Sequence, residues 1–304
     1  LVLSASLLRA YCDPRHHGHP EIPIQDLSAE KDIRLVAVGR QGYPPPLSKT
    51  IADSMGRVSR EKRIQFVVLA GDNFYPKGVQ STSDPQWQDK FERLYDSASL
   101  QATPFYAVAG NHDHRGNTDA QLAYARDKLG SRRWQMDELY YARDFGKVGD
   151  RVLLRMVFLD TVTLKEEPEP QVEFLQQTMK APGDPVWRVI VGHYPARSLA
   201  RLKFSRSRIL ENLRPVLKKS GVDLYLSAND RFQQVLTYPD EPLHVSTNGG
   251  GTKREEGIVA RNTATEFVAD QKGFSVITVQ AKQITVEMNN QDGETAYEKI
   301  ILRD

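Results

Sequence analysis

Six short, apolar-rich and β-branched stretches, at 33–38, 64–69, 105–108, 152–159, 186–191 and 222–226, constrain the fold more than any other feature. Continuous apolar runs of this length belong to strands covered on both faces, and strands that alternate with helical patterns build mainly parallel sheets. Between them, Leu47, Ile51, Met55 and Val58 keep helical spacing, as do Trp87, Phe91, Leu94 and Tyr95. The second of these helices opens with Asp84 as N-cap and Pro85 at its first position. A further helix over 209–219 is ended by Gly221. The tail changes character, with strands at 243–247, 274–280 and 284–288 and little helix between them. The order predicts an α/β chain of two packed sheets flanked by helices, a layered sandwich in one domain.

Charge and composition remove several function classes. The 41 Lys plus Arg stand against 39 Asp plus Glu, a net +2, so no general electrostatic field favours nucleic acid. No stretch of about 18 apolar residues occurs, which excludes a membrane-spanning helix within the sequence. The single cysteine, Cys12, permits no internal disulfide. Residues 1–31 read as an N-terminal extension or docking segment ahead of a domain over 32–304. Its acid-free first ten residues favour a mitochondrial or extracytoplasmic home, and the stretch with Arg15, His16, His17 and His19 reads as an exposed linker because Gly18 and Pro20 interrupt it.

The chemistry sits where the strands end. The first is followed by Gly39-Arg40-Gln41-Gly42 and the second by Gly71-Asp72-Asn73-Phe74-Tyr75. The third leads into Gly110-Asn111-His112-Asp113-His114, the fifth into Gly192-His193-Tyr194-Pro195 and the sixth into Ala228-Asn229-Asp230-Arg231. Loops at the carboxyl ends of strands in such sheets converge on one crevice, so Asp72, Tyr75, Asn111, His112 and His193 are expected to face one another. Oxygen and imidazole donors gathered this way suit Fe, Mn or Zn, which activate water and clamp phosphoryl groups.

The turns 72–75, 109–114 and 192–195 resemble those of the small, tartrate-resistant type of purple acid phosphatase, and segments 33–39, 159–164 and 213–217 extend the likeness across 32–304. The resemblance implies a four-layer α/β/β/α metallophosphoesterase fold, calcineurin-like, whose active members hydrolyse phosphomonoesters with two metal ions. It also implies that Asp72, Tyr75, Asn111 and His193 are retained metal-ligand positions and that His112 is a retained substrate-facing histidine. Three ligand positions are substituted. Arg40 stands where the family has the aspartate of Gly-Asp-x-Gly, and Asn229 and Arg231 stand where it has the two histidines of Gly-His-Asp-His. A second substrate-facing histidine, nine residues beyond His193, is replaced by Leu202.

With one carboxylate facing two arginines, the local charge is about +1 against about −3 for an intact site, and two like unit charges 4 Å apart repel by roughly 4 kcal/mol at an effective dielectric near 20. Arginine cannot relieve this by losing its proton. The expectation is a metal centre that is empty or at most holds one weakly bound divalent ion, no cofactor, and Arg40 or Arg231 filling the first-metal volume and pairing with Asp72. Arg197, Arg201, Lys203, Arg206 and Arg208 form a candidate patch for an acidic protein surface or an anionic lipid. The leading function is a catalytically inactive scaffold or accessory subunit of a larger protein complex, membrane-associated or soluble. The family offers a parallel in an apicomplexan glideosome-associated protein that anchors a motor complex. The alternatives are a residual mononuclear phosphomonoesterase using Asp72, Asn111, His112 and His193, and a phosphate-binding pseudoenzyme using Arg40 and Arg231.

Overall fold

The computed structural model describes residues 21–27, 30–46, 48–200, 207–250 and 261–303. The apolar runs form the centres of two mixed sheets. In chain order the elements are β1 (Ile24–Gln25), β2 (Ile33–Val38), α1 (Lys49–Lys62), β3 (Phe66–Leu69), β4 (Phe105–Ala107), α2 (Thr118–Arg126), β5 (Trp134–Gln135), β6 (Tyr141–Val148) and β7 (Arg151–Phe158). There follow α3 (Pro168–Lys180), β8 (Trp187–Val191), α4 (Ser207–Lys219), β9 (Leu224–Ser227), β10 (Gln233–Leu236), β11 (Leu243–Ser246), β12 (Thr265–Ala269), β13 (Gly273–Val279), β14 (Gln283–Asn290) and β15 (Thr295–Leu302).

One sheet runs β1-β6-β7-β8-β9-β11-β10-β12 and the other β15-β14-β13-β2-β3-β4-β5. Strands β2 to β5 are parallel, as are β7, β8, β9 and β11, so the carboxyl ends of β2, β3, β4, β8 and β9 carry the turns singled out by the sequence. The sheets pack face to face through Val36, Phe66, Phe274, Phe145, Leu154 and Phe158, with the Phe66 and Phe145 rings stacked at 4.3 Å. A second apolar cluster, including Leu159, Ile190, Phe174, Leu175, Leu213 and Leu217, seats α3 and α4 on the outer face of the first sheet. On the far side α1 lies over β2 and β13. The layered α/β sandwich expected from the sequence is the observed one.

Several elements differ from the sequence reading. The helix expected over Trp87 to Tyr95 is wound wide at Gln88–Glu92, where Arg93 N–H bonds to the Gln88 carbonyl; Asp84 does cap it, accepting from Gln86 N–H at 2.9 Å. Helices α2 and α3 and strands β1, β6 and β10 carry no long apolar run, and α2 is marked only by its cap, Asn117, which accepts from Ala120 N–H. Part of the expected N-terminal extension belongs to the sheet, since β1 pairs in parallel with β6 through Ile24 and Gln25.

Two buried arginines tie layers together. Arg155 forks onto Asp144 at 2.8 Å through both Nε and Nη2 and also donates to the carbonyls of Thr178, Ala181 and Pro182 at the end of α3. Arg133 donates to the carbonyls of Tyr95 and Leu100 and to the Glu92 carboxylate.

Candidate functional site

The turns after β2, β3, β8 and β9 are laced to one another by backbone bonds. Arg40 N–H donates to Gly71 O, Gly42 N–H to Asp72 O, Tyr75 N–H to Gly42 O, and Ala228 N–H to His193 O. This close approach is why Gly39 and Gly71 are glycines. A Cβ on Gly39 would lie 2.2 Å from Ala228 Cβ, and one on Gly71, whose φ is +85°, would lie 2.5 Å from the His193 ring. Arg40, Asp72 and Asn229 hold the left-handed backbone without being glycine, with φ of 59°, 59° and 63°. Such conformations cost about 1 kcal/mol each and aim the side chain abruptly off the strand end. The Asp113 carboxylate holds the turns after β3 and β4 together, accepting from the N–H groups of Asn73, Phe74 and Gly110.

At the centre lies Asp72, 2% exposed. Its Oδ2 accepts the Tyr75 hydroxyl, its Oδ1 accepts His112 N–H at 3.0 Å, and His193 Nε2 is 3.3 Å from Oδ1. Burial alone would raise its pKa, but the His193 ring, the Tyr75 hydroxyl and the His112 N–H together hold it below the usual carboxylate value. Arg40, 5% exposed, does not fork onto Asp72 as expected. Its Nε donates to the Tyr75 hydroxyl at 3.2 Å, and its Nη1 donates to Asp230 O at 3.3 Å and Asn248 Oδ1 at 3.1 Å. The charge thus reaches Asp72 by relay, from guanidinium to phenol to carboxylate. Burial and the Asp72 charge push the Tyr75 hydroxyl far above its ordinary pKa, against the pull of Arg40, so Tyr75 is a neutral phenol that accepts from one partner and donates to the other.

His193 is fully buried. Its Nδ1 lies 2.9 Å from Ala70 O, a carbonyl that only accepts, so Nδ1 carries a proton; Nε2 lies 3.3 Å from both Asp72 Oδ1 and Asn111 Oδ1, two acceptors to which it donates when the ring is protonated. These three atoms are the set that could hold a cation. Asn229 is 8% exposed, and its Nδ2 finds no partner among the described residues. Among the described residues no group of three or more His, Cys, Asp or Glu is arranged to hold a metal ion. At the rim the Tyr43 ring stacks on Tyr75 at 4.0 Å, and His112 leans on Tyr75 at 4.1 Å while its Nδ1 donates to Pro76 O.

The structure therefore brings together Arg40, Asp72, Tyr75, Asn111, His112 and His193, and it places Asn229 and Asp230 in the adjoining turn. Arg231 contributes its carbonyl to Asn248 at 2.7 Å. Asn248, absent from the sequence reading, ends β11 in an Asn-Gly-Gly turn, and that signal was available. Arg197 does not belong to an open basic patch. It forks onto Glu241 at 2.5 and 2.9 Å and stacks over the Tyr238 ring. Arg201, Leu202, Lys203 and Arg206 lie outside the described residues, and Arg208 lies on α4.

The turns after β3, β4 and β8 fall inside a family pattern, and those after β2 and β9 lie at its two ends. The pattern of the calcineurin-like phosphoesterases matches residues 42–228, more than half of the chain. The chain belongs to this family. The phosphoesterase chain is 30% identical to tartrate-resistant acid phosphatase type 5 of Sus scrofa, over 87% of its own length and 85% of that protein's. It is 28% identical to purple acid phosphatase 17 of Arabidopsis thaliana, over 83% and 79%. Among solved structures, GAP50, the anchor in the inner membrane complex of Plasmodium, superposes with a TM-score of 0.79 at 25% identity and 90% coverage of both chains. Among the described residues of the phosphoesterase chain, no helix is long and apolar enough to cross a membrane.

Proposed function

We propose that this phosphoesterase-fold chain hydrolyses no phosphoester and works as a scaffold or accessory subunit of a protein complex. The observation that carries the reading is the buried Arg40 guanidinium, bonded to Tyr75, Asn248 and Asp230 in the turn where the family places an anionic ligand. A fixed, non-titrating cation there opposes a second cation at the same place, and it engages directly the tyrosine, and through its hydroxyl the aspartate, that would otherwise be donors. Without a first metal the site lacks a means to generate hydroxide at neutral pH. The likeness to GAP50, an anchor protein, supports the scaffold side of the reading.

One observation favours a second reading. Asp72 Oδ1, Asn111 Oδ1 and His193 Nε2 converge as they would around a single ion, which supports a residual mononuclear phosphomonoesterase with His112 at its rim.

Metal analysis combined with hydrolysis of an aryl phosphate separates the two. The scaffold reading expects no turnover, and elution of the protein from its native source far above 34.4 kDa. Stoichiometric metal with turnover that disappears in Asp72→Ala overturns it. Reverting Arg40→Asp, Asn229→His, Arg231→His and Leu202→His tests whether only the ligands are missing, and gain of turnover is the expected result.

A further inference from the structure

The turns that converge on the crevice keep their two signs of charge in different places. Across residues 39–46, 70–80, 109–117, 192–200, 228–232 and 247–250 there are three carboxylates, Asp72, Asp113 and Asp230, and each is no more than 2% exposed. Each is also engaged from within. Asp72 accepts from Tyr75 and His112, Asp113 from three backbone N–H groups, and Asp230 Oδ2 from the Ser198 hydroxyl and the Gln234 amide, both at 2.6 Å. Two cations of the same turns face outward. Lys77 and Arg115 are exposed, and neither meets a carboxylate among the described residues. Elsewhere on the surface Lys49, Arg126, Arg151 and Lys218 sit on Asp53, Asp127, Asp184 and Asp240.

The crevice floor is balanced, since Arg40 meets Asp72 through Tyr75, so the field that leaves the mouth is positive. The mouth is also built rigidly. Gly78 N–H donates to His112 O and Asn117 N–H to Val79 O, both at 2.8 Å, which locks the turn bearing Lys77 to the turn bearing Arg115. Arg115 Nη1 lies 3.3 Å from His112 Nδ1. Tyr43 and His112, both half-buried, pack on the Tyr75 ring, and the prolines at 44–46 and 76 are exposed beside them. Arginine and tyrosine on a fixed backbone are what protein interfaces favour, because little freedom is lost on contact.

Building on the scaffold role, we infer that the crevice mouth docks an acidic segment of a partner protein. Its aspartate or glutamate carboxylates pair with Lys77 and Arg115, and its backbone and apolar atoms lie on Tyr43 and the prolines. Charge complementarity selects an anion, and the placement of the cations selects its form. A small oxyanion drawn to the floor meets the Asp72 carboxylate, and the Arg40 guanidinium is already committed to Tyr75, Asn248 and Asp230. A bilayer is flat and touches Lys77 and Arg115 without following Tyr43 and His112 where they recede between the turns. An extended acidic chain reaches all four.

Fluorescence anisotropy of a labelled decaglutamate peptide titrated with the full chain, at about 50 mM and about 300 mM salt, reads the outcome. The wild type is expected to bind saturably and to lose affinity as salt rises. Lys77→Glu with Arg115→Glu is expected to weaken binding about tenfold or more at unchanged melting temperature, since both side chains are exposed. Lys147→Glu with Lys180→Glu makes the same change in net charge at exposed positions of β6 and α3, and is expected to hold affinity within about twofold. The inference is overturned by a wild type that does not bind, by equal loss in the two double variants, by displacement with inorganic phosphate beyond that with chloride at equal ionic strength, or by tighter binding to phosphatidylserine vesicles, which would make the surface a membrane contact. Aryl phosphate hydrolysis on the same preparation distinguishes two kinds of failure. Absence of peptide binding without turnover removes the docking surface alone, whereas turnover removes the scaffold role and the docking surface with it.

Discussion

Removing the Arg40 side chain tests the site most directly. In Arg40→Ala the Tyr75 hydroxyl loses one donor, and Asn248 Oδ1 and Asp230 O lose theirs, all in a buried setting. Hydrogen bonds to a charged donor contribute about 1.5–3 kcal/mol each, and part of the loss is recovered because Tyr75 keeps its bond to Asp72. The expected cost is about 3–5 kcal/mol, or roughly 6–10 °C in melting temperature for a chain of this size. Urea unfolding of wild type and Arg40→Ala, each with and without a strong chelator, is the measurement. The wild type is expected to be indifferent to the chelator, because its internal cation cannot be extracted. Arg40→Lys, which keeps the charge without the fork, is expected to fall between the two. A cost below about 1 kcal/mol, or a wild type destabilised by chelation, would refute the argument that Arg40 stabilises the site as its resident cation.

Two further outcomes follow from buried charge. His244, 3% exposed, is pushed down to about 4, first by burial, against the pull of Glu241. Its folded pKa lies below the unfolded value near 6.5, so stability is complete above that value and falls as pH drops from about 6.5 toward 4, by about 3 kcal/mol. The urea midpoint measured at both ends of that window should show the loss in wild type and much less of it in His244→Gln. Arg155→Met strands the Asp144 carboxylate and is expected to cost about 3–5 kcal/mol, with part restored by adding Asp144→Leu, measured as a double-mutant cycle.

What the sequence disclosed was the parts whose physics is local. The strands β2, β8, β9 and β13 are apolar-rich runs broken by only one or two polar residues each, and the turns that follow β2, β3, β4, β8 and β9 stand out because each is a glycine or alanine followed by polar donors. Strand β15 was hidden because its residues divide between a packed face and a solvated one, as Tyr297 and Glu298 do, and β6 because its buried residues include Asp144, paired with Arg155. The site was legible as a set of positions and illegible as a bonding scheme. That Arg40 would reach Asp72 through Tyr75 and also bond Asn248 is set by the fold: Asn-Gly-Gly marks a turn after β11 but not the guanidinium it meets. Likewise Arg197 reads as one of a basic series, and only the fold brings Glu241 and Tyr238 to meet it.

The left-handed backbone at Arg40, Asp72 and Asn229 bears on how this pocket can be remade. At such a position the main chain sets the direction of the side chain, whatever that side chain is, so an exchange of residue redirects chemistry without rebuilding a loop. A library confined to positions 40, 72 and 229 therefore explores new functions on a frame whose conformational cost is already met. Few folds give a designer so small an alphabet of changes with the aim of each one settled in advance.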